Sequence, residues 1–211
     1  MEATAKGARD GRTVRAERTR QALVDALLAL LYEGQLQPTA ERIAQRAGVS
    51  ERSLFQHFAD REALYQAVAV QQYERIVPTL EPIDVSLPLA ERIDAFVDQR
   101  ARLLETVTPV RRAALLLEPE SEVVSSWLQT TRRQKARELE RVFRGELEQV
   151  GQRERGVLLA ALVAVSAWTF WEALRAHQRL SLDRSRAAMR ATLVALLAHA
   201  PGGARRAAMR S

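Results

Sequence analysis

The chain has 211 residues, of which 47% are hydrophobic and 27% charged, so it is long enough for one or two globular domains and lacks the composition of a disordered protein. It contains no cysteine, which excludes disulfides, thiolate nucleophiles and cysteine-based zinc sites. The formal charge of +6 lies in the first twenty residues and after Pro201. Basic ends suit a polyanion such as DNA, although a general preference for arginine explains them equally well.

No apolar run follows Met1 closely enough to form a signal peptide, so we expect a cytoplasmic, nucleoid-associated protein. The longest apolar run, residues 157–168, is shorter than the roughly 20 residues that cross a bilayer and is interpreted as a buried helix. Apolar residues recur at spacings of three and four. The sequence therefore predicts an all-α protein.

In chain order, the first helix is expected from about Arg15 to Glu33, and Gly34 ends it. Two short helices follow, over residues 40–47 and 51–58, and a longer one begins after Asp60. Residues 78–88 contain three prolines and lack helical periodicity, which marks a domain boundary. Beyond this boundary five helical patterns are predicted, over residues 89–107, 110–117, 120–150, 154–179 and 183–199.

The two short helices form a hairpin, TAERIAQRAGVSERSLFQHF, over residues 39–58. Thr39 and Ser50 stand at N-cap positions, and Gly48 stands where a helix ends in the left-handed conformation. A helix-turn-helix requires these parts: a short bracing helix, a tight turn and a second helix that enters the major groove.

The second helix presents polar side chains away from its core-facing residue Leu54. At 100° per residue, Arg52, Gln56 and Ser53 lie at about 160°, 200° and 260° from Leu54. Arginine can bind guanine, glutamine can bind adenine, and serine can contact several base edges. This pattern predicts a DNA-reading face, and the alternative is that the hairpin only closes a helical bundle with a polar exterior.

The stretch TAERIAQRAGVSERSLFQHFADREAL resembles the DNA-binding signature of the TetR family of bacterial transcriptional regulators. The resemblance covers roughly residues 15–70 and extends more loosely, by helix count and order, to the end of the chain. It implies a helix-turn-helix domain of three or four helices, followed by a five-helix ligand-binding and dimerisation domain. It also implies which residues face DNA: Thr39, Ser50, Arg52, Ser53, Phe55, Gln56, His57 and Arg61.

Three positions depart from the family pattern. Phe55 stands where tyrosine is common, so it can pack against a sugar or a thymine methyl group but cannot bond a phosphate. Arg61 stands where lysine is usual, which keeps a phosphate contact with altered geometry. Glu51 stands at a place that is often basic, which leaves a favourable interaction with the helix dipole or with a cytosine amino group.

The resemblance and the patterns together give five segments. They are a flexible basic arm 1–14, a DNA-binding domain 15–77, a linker 78–88, a regulatory domain 89–200 for ligand binding and dimerisation, and a disordered basic tail 201–211. The arm, with Arg9, Arg12 and Arg15, either lies along DNA or in its minor groove, or is a solvated tail.

The helices over 157–179 and 183–199 carry more apolar surface than one subunit can bury, so we expect them to form a homodimer interface. The alternative is a bundle within one chain. A dimer suits DNA recognition, because two recognition helices about 34 Å apart read a palindromic operator.

The candidate ligand-binding residues are aromatic walls and polar anchors: Phe96, Arg100, Trp127, Trp168, Trp171 and Glu172. Aromatic residues at helical spacing are also typical of a core. Glu172 lies three residues before Arg175 and can pair with it on a helix surface.

The sequence therefore predicts a DNA-binding transcriptional regulator, a repressor released by a small-molecule effector of unknown identity. Coupling would run through the helix from Arg61 to Val77. A DNA-marking adaptor that recruits a protein partner without ligand control is the alternative. An enzyme or carrier is disfavoured, because the three histidines show no metal-ligand spacing and no glycine-rich phosphate loop is present; no catalytic residue, cofactor or metal is predicted.

Overall fold

The computed structural model describes residues 2–117 and 122–198, and it describes the side chains of residues 13–116, 126, 129, 130 and 133–198. Every regular element in these ranges is helical, so the predicted all-α fold is confirmed. The predicted tail 201–211 and the side chain of Trp127 lie outside the described residues.

The N-terminal part contains four helices: α1 Glu2–Tyr32, α2 Ala40–Ala47, α3 Glu51–His57 and α4 Arg61–Ile76. Helix α1 packs against each of the other three. Leu27, Ile43, Leu54 and Leu64, one from each helix, are fully buried and form the centre of this packing. A short 3₁₀ turn, Val77–Thr79, follows α4.

Helix α1 begins at Glu2, whereas the sequence led us to expect a start near Arg15 after a flexible arm. The residues between these positions include alanine, arginine and glutamate, which favour helix, and no proline. Gly7 and Gly11 lower the propensity but do not end the helix. The left-handed Gly34, at φ 87°, lies two residues beyond the end of α1.

The remaining elements are α5 Leu89–Leu117, α6 Glu122–Val142, α7 Arg144–Leu147, α8 Gln152–Val165, α9 Trp168–Glu172, a π-helical turn Ala173–His177 and α10 Leu182–Ala198. A single core cluster includes the rings of Phe96, Phe143 and Trp171. Phe143 separates α6 from α7, so the helix expected over 120–150 is divided there.

Helix α5 is continuous through Pro109, which corrects the expectation of two helices over 89–107 and 110–117. Proline removes one backbone donor, so the carbonyl four residues earlier loses its usual partner. Buried residues on both sides, Leu104, Val110 and Ala113, hold the helix in place despite that loss. Packing therefore outweighs the local preference of proline.

The helix expected over 154–179 is also divided, at Ser166 and Ala167. The Ser166 hydroxyl donates to the Leu162 carbonyl at 2.8 Å, and Ala167 is extended, with ψ 154°. The chain then turns by 47° into α9. Among the described residues no single helix is long and apolar enough to cross a membrane; only the bent pair Gln152–Val165 and Trp168–His177 reaches that length and composition together.

The chain forms two compact units. One contains Met1–Pro78 and Pro109–Ser125, and the other contains Thr79–Thr108 and Ser126–Ser211. The first division lies at the start of the predicted linker 78–88. The second lies within α5, inside the segment that was expected to be a single regulatory domain.

Candidate nucleic-acid interface

The turn between α2 and α3 is built on Gly48. Its φ of 70° and ψ of 30° are left-handed, a conformation that costs glycine little because it has no Cβ. The Val49 amide donates to the Ala44 carbonyl at 3.0 Å, which closes the end of α2. The turn is therefore tight, and the left-handed glycine that the sequence predicts is confirmed.

Side-chain oxygens cap the three helices that follow α1. Thr39 Oγ1 accepts from the Arg42 amide at 3.2 Å, and Ser50 Oγ accepts from the Ser53 amide at 3.2 Å. Asp60 caps α4 in the same way. Because an accepting hydroxyl still carries a proton, Thr39 remains able to donate to a phosphate while it caps α2.

Helix α3 buries one side and exposes the other. Leu54 is fully buried, and Phe58, the C-cap of α3, is 3% exposed. Arg52, Phe55 and Gln56 are exposed, with 51% of Phe55 accessible. The remaining members of the predicted DNA-facing set on this helix, Ser53 and His57, are half-buried, and Glu51 is exposed in the first turn.

Arg61 is exposed at the first position of α4, and its charge acts on the Tyr65 hydroxyl. The Tyr65 hydroxyl also donates to the Leu36 carbonyl at 2.9 Å. Burial raises the pKa of the Tyr65 hydroxyl, and the neighbouring Arg61 charge opposes that effect. Tyr65 therefore ties α4 to the segment that follows α1, a contact that no motif in the sequence indicates.

A polar cluster joins α4 to α1 around Asp25. Its carboxylate accepts from Gln71 at 2.7 Å, from Arg75 at 3.0 Å and from Gln21 at 3.1 Å. Burial acts to raise the pKa of Asp25, but these hydrogen bonds and the Arg75 charge lower it overall. The cluster fixes the position of α4 against α1.

Two further arginines brace the hairpin. The guanidinium carbon of Arg20 lies 4.9 Å from the ring centroid of Phe58, a cation–π contact between α1 and the end of α3. Arg46 on α2 pairs with Glu33 at 2.6 Å. Both arginines lie in the predicted DNA-binding domain, but these contacts assign them to holding the hairpin.

The predicted ligand-binding residues lie in the other unit, where Phe96 and Trp171 belong to the same core cluster. Phe96 and Arg100 are neighbours on α5, with the guanidinium carbon 5.1 Å from the ring centroid. Trp168 donates its indole N–H to Thr108 at 3.0 Å, and Trp171 donates to Glu105 at 2.7 Å. Both tryptophans therefore fasten α9 to α5.

Glu105 is the partner that the sequence did not reveal. It accepts from Trp171 and also pairs with Arg175, at 2.8 Å from Nε. Arg175, the residue considered as a surface partner for Glu172, therefore has a longer-range partner in Glu105. Glu172 itself is half-buried.

Among residues 2–117 and 122–198, no group of three histidine, aspartate or glutamate side chains lies close enough together to hold a metal ion.

Residues 23–68, which contain the capped hairpin and the first half of α4, match the family model described as bacterial regulatory proteins, tetR family. No curated protein matches the chain in sequence.

Solved structures share the fold. A transcriptional regulator from Rhodococcus sp. Rha1 superposes with a TM-score of 0.64 at 18% identity, covering 86% of this chain and 95% of its own. A Mesorhizobium loti protein described as a TetR-family transcriptional regulator gives 0.63 at 17% identity, covering 87% and 97%. The SmeT–triclosan complex gives 0.56 at 18% identity, covering 84% and 90%.

The capped hairpin, its exposed outer face and the family match define a helix-turn-helix DNA-binding regulator. Within that class, residues 23–68 carry the DNA-binding domain of the tetR family of bacterial regulatory proteins, and the resemblance found in the sequence is confirmed.

Proposed function

We propose that the protein is a repressor that binds a palindromic operator as a homodimer and leaves it when a small molecule binds the C-terminal unit. The observation that carries the proposal is the outer face of α3. Arg52, Phe55 and Gln56 are exposed there on a helix whose turn and caps are fully bonded. A rigid helix with free base-reading side chains fits major-groove recognition.

The contacts divide by chemistry. Arg52, Ser53, Phe55 and Gln56 would read base edges, and Thr39, Ser50, His57 and Arg61 would contact phosphates. Arg61 is suited to a phosphate contact because it is exposed at the first position of α4. Glu51, in the same first turn as Arg52, would favour an exposed cytosine amino group over a phosphate.

The proposed dimer interface lies on α8 and α10, which pack against each other. Each leaves a stripe of exposed apolar or small residues: Val157, Ala160 and Ala164 on α8, and Ala187, Ala191, Val194 and Ala198 on α10. Val157 is 68% exposed, which is unfavourable for a valine in water. A second copy of the chain would cover both stripes.

Ligand control is supported by the fold, since the similar SmeT structure holds triclosan. An effector releases DNA only if it binds the conformation that does not fit the operator more tightly than the one that does. Helix α4 is the proposed link between effector binding and the hairpin. Arg61 at its start belongs to the DNA-facing set, and Arg75 in its last turn bonds to Asp25 on α1.

Selection from random-sequence DNA by the full chain tests the proposal. We expect enrichment of an inverted repeat with half-sites about one helical turn apart, and few genomic matches. Unrelated enriched sequences, or none, would contradict it. Many genomic sites with no ligand-sensitive release would instead favour a DNA-marking adaptor.

Sedimentation tests the dimer. Val157→Asp should convert a dimer to monomer at micromolar concentration, because it places a charge in an apolar interface. Val85→Asp is the matched control, since Val85 is exposed too, at 51%, but lies outside both stripes. A wild-type chain that sediments only as a monomer would refute the interface.

A further inference from the structure

Helix α5 carries two buried arginines, Arg92 and Arg100, about two turns apart. Their side chains are 10% and 8% exposed, respectively. Arg92 donates to both oxygens of Glu146, at 3.0 and 2.6 Å, and also to the carbonyls of Leu87 and Val142. The charge and the donors of Arg92 are therefore matched by the protein.

Arg100 is bonded quite differently. Its Nη2 donates to Glu138 at 2.6 Å, while its buried Nε has no acceptor among the described residues. Burying an N–H group without an acceptor is costly, and Arg92 demonstrates that the same helix can satisfy such a side chain. The Nε–H group of Arg100 is therefore a buried donor that is available to an acceptor supplied by a ligand.

The surroundings of Arg100 determine what acceptor would fit. The ring of Phe96 lies beside its guanidinium and belongs to the apolar core cluster. A guanidinium presents Nε and Nη donors in a planar fork that matches the two oxygens of a carboxylate. An apolar body with one carboxylate would satisfy both features.

We propose that the effector is an amphipathic carboxylic acid whose carboxylate binds Arg100 and whose apolar part packs beside Phe96. This inference rests on the proposed ligand control, and it names the chemical class of the effector.

Glu138 is the competitor for this site. Its side chain is 28% exposed and makes a single hydrogen bond to Arg100, so it can turn toward water when another anion arrives. Burial lowers the pKa of Arg100, and the Glu138 charge opposes that effect. A bound carboxylate would replace that stabilising charge, so removing the charge of Glu138 should strengthen effector binding.

Calorimetric titration of the full chain tests the inference with three acids, benzoate, octanoate and dodecanoate, each beside its methyl ester. We expect at least one acid to bind about tenfold or more tightly than its ester, because only the acid offers a charged acceptor. Binding of none of the acids, or equal binding of acid and ester, would overturn the inference.

Variants assign the effect to Arg100. Arg100→Gln should abolish the preference for acid over ester, and Arg102→Gln should keep it, since Arg102 is exposed on the same helix. Glu138→Gln should tighten acid binding. If the Arg100–Glu138 pair were only structural, Arg100→Gln and Glu138→Gln would both weaken acid binding. If circular dichroism shows that Arg100→Gln does not fold, Arg100→Lys replaces it, and we expect that variant to bind the acid more weakly. Unchanged acid binding in either folded variant would contradict the assignment.

The failure of this inference is distinguishable from failure of the proposed function. DNA binding by the acid-free protein is measured separately, on the selected operator. Operator binding without any acid binding would overturn only the effector class, and acid binding without operator binding would overturn only the proposed function.

Discussion

The hairpin of α2 and α3 and the segment of α5 from Arg92 to Glu105 use polar side chains in opposite ways. In the hairpin the polar side chains on the outer face of α3 point to solvent, and the backbone is satisfied by caps. In α5 the arginines point inward and are bonded to partners more than 35 residues away in sequence. A recognition surface needs free side chains on a rigid support, whereas a buried site needs donors that the protein leaves partly unmatched.

The largest effect is expected at the fully matched arginine. Arg92→Gln should lower the free energy of unfolding by about 3–5 kcal/mol, because it leaves the buried carboxylate of Glu146 without its partner. Arg190→Gln is the control, since Arg190 pairs with Asp94 at the surface and its loss should cost much less than the loss of Arg92. Urea unfolding at one protein concentration measures the free energy of unfolding of both variants. Equal losses would mean that burial does not make the Arg92–Glu146 pair more important for stability than the Arg190–Asp94 pair.

A smaller loss is expected at the turn of the hairpin. Gly48→Ala should destabilise the protein by about 1–2 kcal/mol, because alanine is strained at a φ of 70° although no atom lies within 4 Å of its Cβ. Gly145→Ala meets no atom either and has no positive φ, so it should be neutral or stabilising. Thermal unfolding compares them, and a neutral Gly48→Ala would refute the rigid turn.

Arg61 tests the phosphate role without altering the fold. Arg61→Ala should weaken binding to all DNA sequences alike and reduce the salt dependence, the slope of log K against log salt, by about 1. Fluorescence anisotropy at several salt concentrations gives the slope. A selective loss for the operator alone would reassign Arg61 to base reading.

The smallest effect concerns pH and the cluster that joins α4 to α1. Because the folded pKa of Asp25 is lowered, its contribution to stability is present above the unfolded value of about 3.8 and is lost as the pH falls through the folded pKa. Asp25→Asn should therefore flatten the acid limb of stability against pH. An unchanged acid limb would show that Asp25 carries no net stabilisation.

The hairpin was predictable because its signals are local. Thr39, Gly48 and Ser50 are residue types that caps and left-handed turns require, and helical projection from Leu54 identifies the outward side chains. The boundaries of α2 and α3 follow directly from these residues. The caps and the turn are made by residues within five positions of one another.

The C-terminal part was less predictable because its determinants are distant in sequence. A helix break was expected at Pro109, but α5 passes through it. A continuous helix was expected through Ser166, but α8 ends there. The pairings of Glu105 with Arg175, and of Glu138 with Arg100, link helices that only the folded chain brings together. Periodicity identifies the aromatic residues but not their hydrogen bonds.

The central claim is that the exposed face of α3 reads DNA sequence. The most direct test compares the affinity of the Arg52→Ala, Gln56→Ala double variant for the selected operator and for random DNA. Exposed matched controls are Arg102→Ala and Gln66→Ala. We predict that the double variant loses the preference for the operator over random DNA, and that each lost base contact accounts for about 1–3 kcal/mol of binding free energy. The controls should keep the preference. An unchanged ratio of operator to random affinity would contradict the claim.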